Sequence, residues 1–290
     1  MGMTKINWYP GHMKKTKEMI QESMQIIDIV LEIVDARIPL SSKNPEIERY
    51  AKNTKRLILL NKCDLVTSNE IKAWKEYFIN KQLADDVLAI SAEKGTNIKE
   101  LYKKIEELTK DKKEKMLKKG LRNVSIRLMV AGIPNVGKSK LINRIAGKSK
   151  AGVGNKPGFT KGKQWIKIKD GLELLDTPGI LWPRFENEEV GLNLAICGSI
   201  KDEILPLEEV AIAFIEKLRK LNKFYILSQI YKMETADLEG SAEEILHRFC
   251  EKNLFMKKDT YPDTLQASYK ILRDYRAGKM GNFSIEPIPQ

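Results

Sequence analysis

Two groups of residues in this sequence have the types and the spacing of chemistry. Gly132-Ile-Pro-Asn-Val-Gly137-Lys138-Ser139 matches the phosphate-cradling pattern G-x-x-x-x-G-K-[ST]. Its glycines let the backbone N–H groups of Asn135, Val136 and Gly137 approach phosphate oxygens, and a helix beginning at Lys138 adds its positive end. Lys138 is placed to neutralise β and γ oxygens, and Ser139 to ligate Mg2+. The second group is Asn61, Lys62 and Asp64 in "LLNKCDL". The Asp64 carboxylate can accept from N1–H and N2–H2 of guanine together. Adenine presents neither donor in that geometry, so an adenine nucleotide would leave a buried carboxylate unpaired. "AISAEKG" adds Ser91 and Ala92, where a backbone N–H would meet guanine O6.

Two further stretches complete a nucleotide site. In "LLDTPGI", Asp176 ends an apolar run and can hold Mg2+ directly or through water, while the N–H of Gly179 can bond a γ-phosphate. "GNKPGFTKG" lies between the phosphate loop and this stretch, and Thr160 is its natural Mg2+ ligand. The order is unusual, because the base-reading group precedes the phosphate loop. Moving residues 123–183 in front of residue 26 restores the ordinary GTPase order. A parallel sheet permits that change, since each motif sits at the carboxyl end of its own strand, where such sheets bind ligands.

The elements that must position these residues are legible. An apolar run, Ile26 to Val34, reads as a strand buried on both faces. A helix in "NPEIERYAKN", a strand Leu57–Leu60, a helix Ser68–Asn80, a strand Val87–Ile90 and a helix Ile98–Lys110 follow. A linker at about 111–123 leads to the strand Ile126–Val130, the phosphate loop and a helix Lys138–Ala146. A hairpin turning at Asp170-Gly171 comes next. After about Glu208 the pattern is helical only. The expected fold is α/β: a circularly permuted P-loop GTPase domain over 1–200, with a mostly parallel sheet flanked by helices and a basic N-terminal segment, 1–25. A small all-α domain over 201–290 follows it.

Composition narrows the class. Cys63, Cys197 and Cys250 form no CxxC pair, and His12 and His247 are the only histidines, so a zinc site is not expected and a reducing cytoplasm is. No run approaches a membrane helix, and the first residues carry no secretory or transit signal. The net charge is +12, divided as +7 over 1–123, +6 over 124–200 and −1 over 201–290. An excess of that kind points to a polyanionic partner, with a solvated surface as the plainer alternative.

"WYPGHMKK", "VDARIPLSSKNP", "LLNKCD", "GIPNVGKSKLINR", "LLDTPGILWP" and "DYRAGKMGNFSIE" together resemble the YlqF/YawG family of circularly permuted GTPases, over nearly the whole chain. The resemblance implies a Mg-dependent enzyme that hydrolyses GTP to GDP and assists assembly of the large (50S) ribosomal subunit. It implies contact with the subunit precursor and its rRNA, turnover stimulated by the ribosome, and a C-terminal helical domain that helps bind rRNA. It makes Asn135 a candidate potassium ligand and potassium a plausible activator. Ile180 stands where many GTPases place a water-orienting glutamine, so His12, which resembles the family's proposed catalytic histidine, becomes the candidate water-orienting residue, with a structural or rRNA-contacting role as its alternative. Lys140 stands where the family pattern leads one to expect threonine. Lys257, Lys258, Lys270, Arg273 and Arg276 are candidate RNA contacts, against the alternative of exposed helix faces. The competing function is a nucleotide-gated RNA-binding module with negligible turnover, and the free protein is expected to be a monomer.

Overall fold

β-branched and leucine side chains fill β1 (Ile29–Asp35), β2 (Lys55–Asn61) and β4 (Ile126–Ala131), and every residue of β1 is buried, as a strand covered on both faces requires. The computed structural model of the chain describes residues 21–121, 124–147, 165–169, 171–175, 187–257 and 261–289. Among these, β1, β2 and β4 join β3 (Asp86–Ala89), β5 (Trp165–Lys169) and β6 (Leu172–Leu175) in one six-stranded sheet, ordered β3-β2-β1-β4-β6-β5. All pairings are parallel except the β5–β6 hairpin, which closes at Gly171 with φ +76°.

The register aligns the carboxyl ends of the strands. Asp35 lies beside Asn61, Leu60 beside Ala89, Glu32 beside Ala131 and Met129 beside Leu175. The loops that follow β1, β2, β3 and β4 therefore leave from one edge, although the chain reaches β4 last of these.

Among the described residues, α1 (Pro45–Tyr50), α2 (Ser68–Asn80), α3 (Ile98–Lys118) and α4 (Lys138–Ala146) cover this sheet. α1 starts where the Asn44 side chain accepts from the Glu46 N–H and proline occupies the first turn. α2 has a full capping box between Thr67 and Glu70 and buries Trp74 and Phe78. Removing that cap in Thr67→Ala is expected to cost about 1 kcal/mol, read as a lowered midpoint in thermal or urea unfolding with unchanged nucleotide affinity.

Several boundaries differ from the sequence reading, two of them for a visible reason. β1 begins at Ile29 rather than Ile26, because Ile26 is in a turn and the buried Asp28 carboxylate accepts from the Arg127 N–H at 2.8 Å, docking the strand entry on β4. The linker expected from about 111 begins later, since α3 continues to Lys118. No Gly or Pro interrupts it, Lys110 and Glu114 are paired four residues apart, Lys112 pairs with Asp28, and Lys115 and Lys118 complement the helix's negative end. The stop is at Gly120, which has φ +84°.

Every named element after β6 is helical: α5 (Glu188–Ile196), α6 (Leu207–Lys220), α7 (Tyr225–Tyr231), α8 (Ala242–Lys252) and α9 (Thr264–Arg276), with short 3-10 turns. α9 packs on α6 and α8, with the Tyr275 ring against Phe214 and Phe283. Their core is continuous with the sheet's, since Leu31, Leu128, Phe214, Tyr275 and Phe283 belong to one buried cluster. The chain after α9 returns to the β1 side: the Ile285 N–H and the Ser284 hydroxyl donate to the Arg37 carbonyl at 3.1 and 2.8 Å, and Glu286 accepts from the N–H groups of Leu40 and Ser41 at 2.7 and 2.9 Å. Burial raises the Glu286 pKa above the usual carboxylate range despite these bonds.

Candidate nucleotide-binding site

The phosphate loop and the base-reading loop meet through Asn61. Its side chain is buried, donates from Nδ2 to the Val136 carbonyl at 2.6 Å, and accepts at Oδ1 from the Ala92 N–H at 2.9 Å. One amide thus ties together the ends of β2, β3 and β4. Glycine is required at two positions of the phosphate loop. A Cβ on Gly132 would lie 2.7 Å from the Ile33 carbonyl oxygen, and Gly137 has φ +101° with the Asn61 amide directly above it. Gly137 caps α4, so Lys138 and Ser139 open that helix, with Ser139 exposed in its first turn.

Lys62 follows Asn61 in the left-handed conformation, φ 61°, and its ammonium lies 2.7 Å from Asp35 Oδ2. Asp64 sits in the short turn Cys63–Leu65, with its carboxylate 3.1 Å from Lys94 Nζ. Burial would raise the Asp64 pKa, but hydrogen bonds from the Ser91 hydroxyl and Lys94 outweigh it, so the carboxyl is held below its usual value and ready to accept. The Ser91 hydroxyl also accepts from the Lys94 N–H at 3.1 Å. The Ala92 N–H donates to Asn61 and so anchors this loop on β2.

These residues line a cavity of about 480 Å3 whose walls include Asn61, Lys62, Asp64, Ser91, Asn135 and Gly137, closed on the far side by Arg276 and Ala277. Asn135, φ 61°, donates from Nδ2 to the Gly198 carbonyl at 3.0 Å, linking the phosphate loop to the segment after α5. Lys140 projects to Glu93 and forms an exposed ion pair between α4 and the Ser-Ala loop, so its replacement of the expected threonine falls on the rim. Thr160, Asp176 and Gly179 lie outside the described residues, as does His12.

Of the candidate RNA contacts, Lys257 and Arg273 are exposed, and Lys258 lies outside the described residues. The other two already have partners within the protein. Lys270 is paired with the buried Asp274 and sits over the Tyr231 ring. Arg276 bonds both Asp202 oxygens, at 2.8 and 2.9 Å, and the carbonyls of Ile196 and Ala195 at 2.9 and 2.8 Å, capping α5. Their spacing on α9 matched an exposed basic stripe, but the buried Asp274 and the half-buried Asp202 pair with them. Sequence reasoning also missed Arg144, which donates to the carbonyls of Ala92 and Glu93 at 2.7 and 2.6 Å and fixes the Ser-Ala loop on α4. The Asp35–Arg37 pair, buried beneath Lys62, was missed as well. "VDAR" directly after an apolar strand was the available signal.

A parallel sheet carrying a phosphate loop after β4 and a guanine-reading loop after β2, joined at one edge in inverted chain order, defines a circularly permuted P-loop GTPase domain. A profile described as "50S ribosome-binding GTPase" matches residues 127–238, and one described as "Elongation factor Tu GTP binding domain" matches residues 8–111, so the two parts of the site are matched separately. Ribosome biogenesis GTPase A of Bacillus licheniformis is 44% identical over 97% of this chain and 98% of its own length. Its Bacillus cereus counterpart is 41% identical over 97% and 93%. Among solved structures, GNP-bound YlqF from T. maritima superposes with a TM-score of 0.63 at 25% identity, covering 95% of this chain and 99% of that one. The chain belongs to the ribosome biogenesis GTPase A (YlqF) family, and it is a GTPase.

Proposed function

We propose that the protein is an assembly factor for the large (50S) ribosomal subunit, binding the pre-ribosomal particle and its rRNA and releasing it through a GTP cycle that the ribosome stimulates. The observation that carries this reading is the Asn61 bridge between phosphate loop and base loop, in a chain alike over 97% of its length to proteins named for ribosome biogenesis. Asp64 reads the guanine edge, Lys62 supports the base, and Lys138 with the N–H groups of Asn135, Val136 and Gly137 holds the phosphates. A hard cation suits an exposed Ser139 hydroxyl at the first turn of α4, with Thr160 and Asp176 as the other oxygen ligands. Bound Mg2+ would neutralise charge on the β and γ oxygens. Potassium, held in part by Asn135, is the proposed activator.

Residues 201–290 form the proposed second domain, and Lys257, Lys258 and Arg273 remain its candidate rRNA contacts. The proposed setting is the cytoplasm, with a monomer before ribosome binding. Among the described residues no helix is long and apolar enough to cross a membrane.

The test is GTP hydrolysis in potassium and in sodium buffer, with and without 50S subunits. Stimulation by the subunit, greater in potassium and absent with ATP, is expected. Retained GTP binding without stimulated turnover would favour the gated RNA-binding module, the reading to which Ile180 lends itself. His12→Ala is expected to lower subunit-stimulated turnover by about 100-fold with GDP affinity unchanged, because an imidazole orienting water acts on the chemical step. Undiminished stimulated turnover would make His12 a contact residue.

A further inference from the structure

The Lys62 ammonium of the base-reading loop points back to the end of β1, where it meets a buried carboxylate. Asp35 ends β1 directly beside Asn61, the residue before Lys62, so the sheet register fixes the distance between carboxylate and lysine. Asp35 is fully buried. Its Oδ2 accepts from Lys62 Nζ at 2.7 Å and from Arg37 Nη2 at 2.7 Å, and its Oδ1 accepts from the Arg37 Nε and backbone N–H at 2.9 and 3.0 Å. Its own N–H donates to the Ser42 hydroxyl at 2.8 Å. Arg37 is locked in turn: Nη2 donates to the Cys197 carbonyl at 3.3 Å, Nη1 to the Arg276 carbonyl at 3.4 Å, and the guanidinium lies 5.3 Å above the Tyr275 ring. The carboxylate therefore has one orientation, and the lysine is aimed by it.

A buried acid–arginine pair with both oxygens satisfied costs desolvation that a pair of apolar residues would not. It is explained when the carboxylate has a task at the end of the strand. Lys62 is one-quarter exposed, lines the nucleotide cavity, and occupies the left-handed conformation, which is uncommon for a residue with a Cβ. An ammonium has three donors, and one bond to Asp35 leaves its stem free to lie along a base.

We propose that Asp35 is the positioning residue for Lys62 in guanine-nucleotide binding, fixed by Arg37, so that the end of β1 is part of the base-recognition apparatus. The inference rests on the GTP-binding reading of the loop. Its mechanism predicts a signature. Asp64 reads the 2-amino group, which inosine lacks, and Lys62 supports the ring face, which guanine and inosine share. Loss of Asp35 therefore weakens both bases by the same factor.

The experiment is a double-mutant cycle on GDP and IDP dissociation constants, with Asp35→Asn, Lys62→Ala and their combination. Asp35→Asn is expected to weaken GDP and IDP alike by about 10-fold in the unsubstituted background, and by less than about 2-fold when Lys62 is already alanine. Equal losses in both backgrounds, or a changed GDP-to-IDP ratio, would mean that Asp35 supports the fold and not the lysine. Failure of the unsubstituted protein to prefer GDP over ADP would instead overturn the GTP-binding reading itself. Should Asp35→Asn fail to fold, two other measurements decide. Arg37→Lys, which keeps the carboxylate but frees its orientation, is expected to weaken GDP about 3-fold only while Lys62 is present. In the unsubstituted protein, the ammonium hydrogens of Lys62, assigned by their loss in Lys62→Ala, are expected to exchange slowly by NMR; rapid exchange would overturn the proposal.

Discussion

Asn61→Ala is expected to weaken GDP binding by about 100-fold or more and to lower stability by about 2–6 kcal/mol, measured by isothermal titration and by urea unfolding. The two effects share a cause. The side chain is buried, and alanine would leave the Val136 carbonyl and the Ala92 N–H without their partner, each costing about 1–3 kcal/mol. Val136 belongs to the loop that holds phosphates and Ala92 to the loop beside the base, so the same loss loosens both ends of the site. Affinity for GMP and for GTP should fall together. An effect confined to stability would mean that the two loops are set by other contacts.

Arg37→Met is expected to cost about 3–5 kcal/mol of stability, since it leaves the Asp35 carboxylate buried beside Lys62 alone. The pH dependence gives a check with a definite sign. Burial alone would raise the Asp35 pKa, but Arg37 and Lys62 outweigh it and hold the carboxyl well below its ordinary value. A depressed carboxylate contributes stability that is present above its unfolded pKa, about 3.9, and is lost as pH falls through the folded value. The substitution removes much of that depression. The stability gap between the variant and the unsubstituted protein should therefore be largest near neutrality and should narrow below about pH 4. A gap independent of pH would assign the loss to packing against Tyr275 instead.

The parts of this molecule legible in the sequence are those set by local pattern. α2 and α4 start and stop where the capping residues and glycines direct, at Ser68–Asn80 and Lys138–Ala146. The apolar runs before "NKCD" and "GIPNVGKS" are strands because nothing else buries four or more such residues in that space. The permuted order followed from the motifs alone, since a parallel sheet fixes where each loop emerges. What the pattern could not give is which charges are claimed by distant partners. Arg276 carries the spacing of an exposed basic face, yet Asp202 neutralises it from another part of the fold, whereas Lys270 is paired with Asp274 one turn along the same helix, a pairing that its spacing already offered. Asp35 and Arg37 look like the polar exit of a strand, and only the register beside Asn61 shows them supporting Lys62. The extension of α3 to Lys118 was hidden by a lysine-rich composition that reads as a solvated linker until the Asp28 anchor is seen.

The central claim is that residues 61–64 and 132–139, in inverted chain order, build one guanine-nucleotide site. Binding of GDP, ADP and XDP to the protein and to Asp64→Asn tests it most directly. Xanthine carries a carbonyl where guanine has its 2-amino group, so a carboxylate repels it and an amide can donate to it. The unsubstituted protein should bind GDP at least about 100-fold more tightly than ADP or XDP, and Asp64→Asn should lose GDP and gain XDP. Undiminished GDP binding by Asp64→Asn, without any gain for XDP, would mean that the base is read elsewhere and would contradict the account.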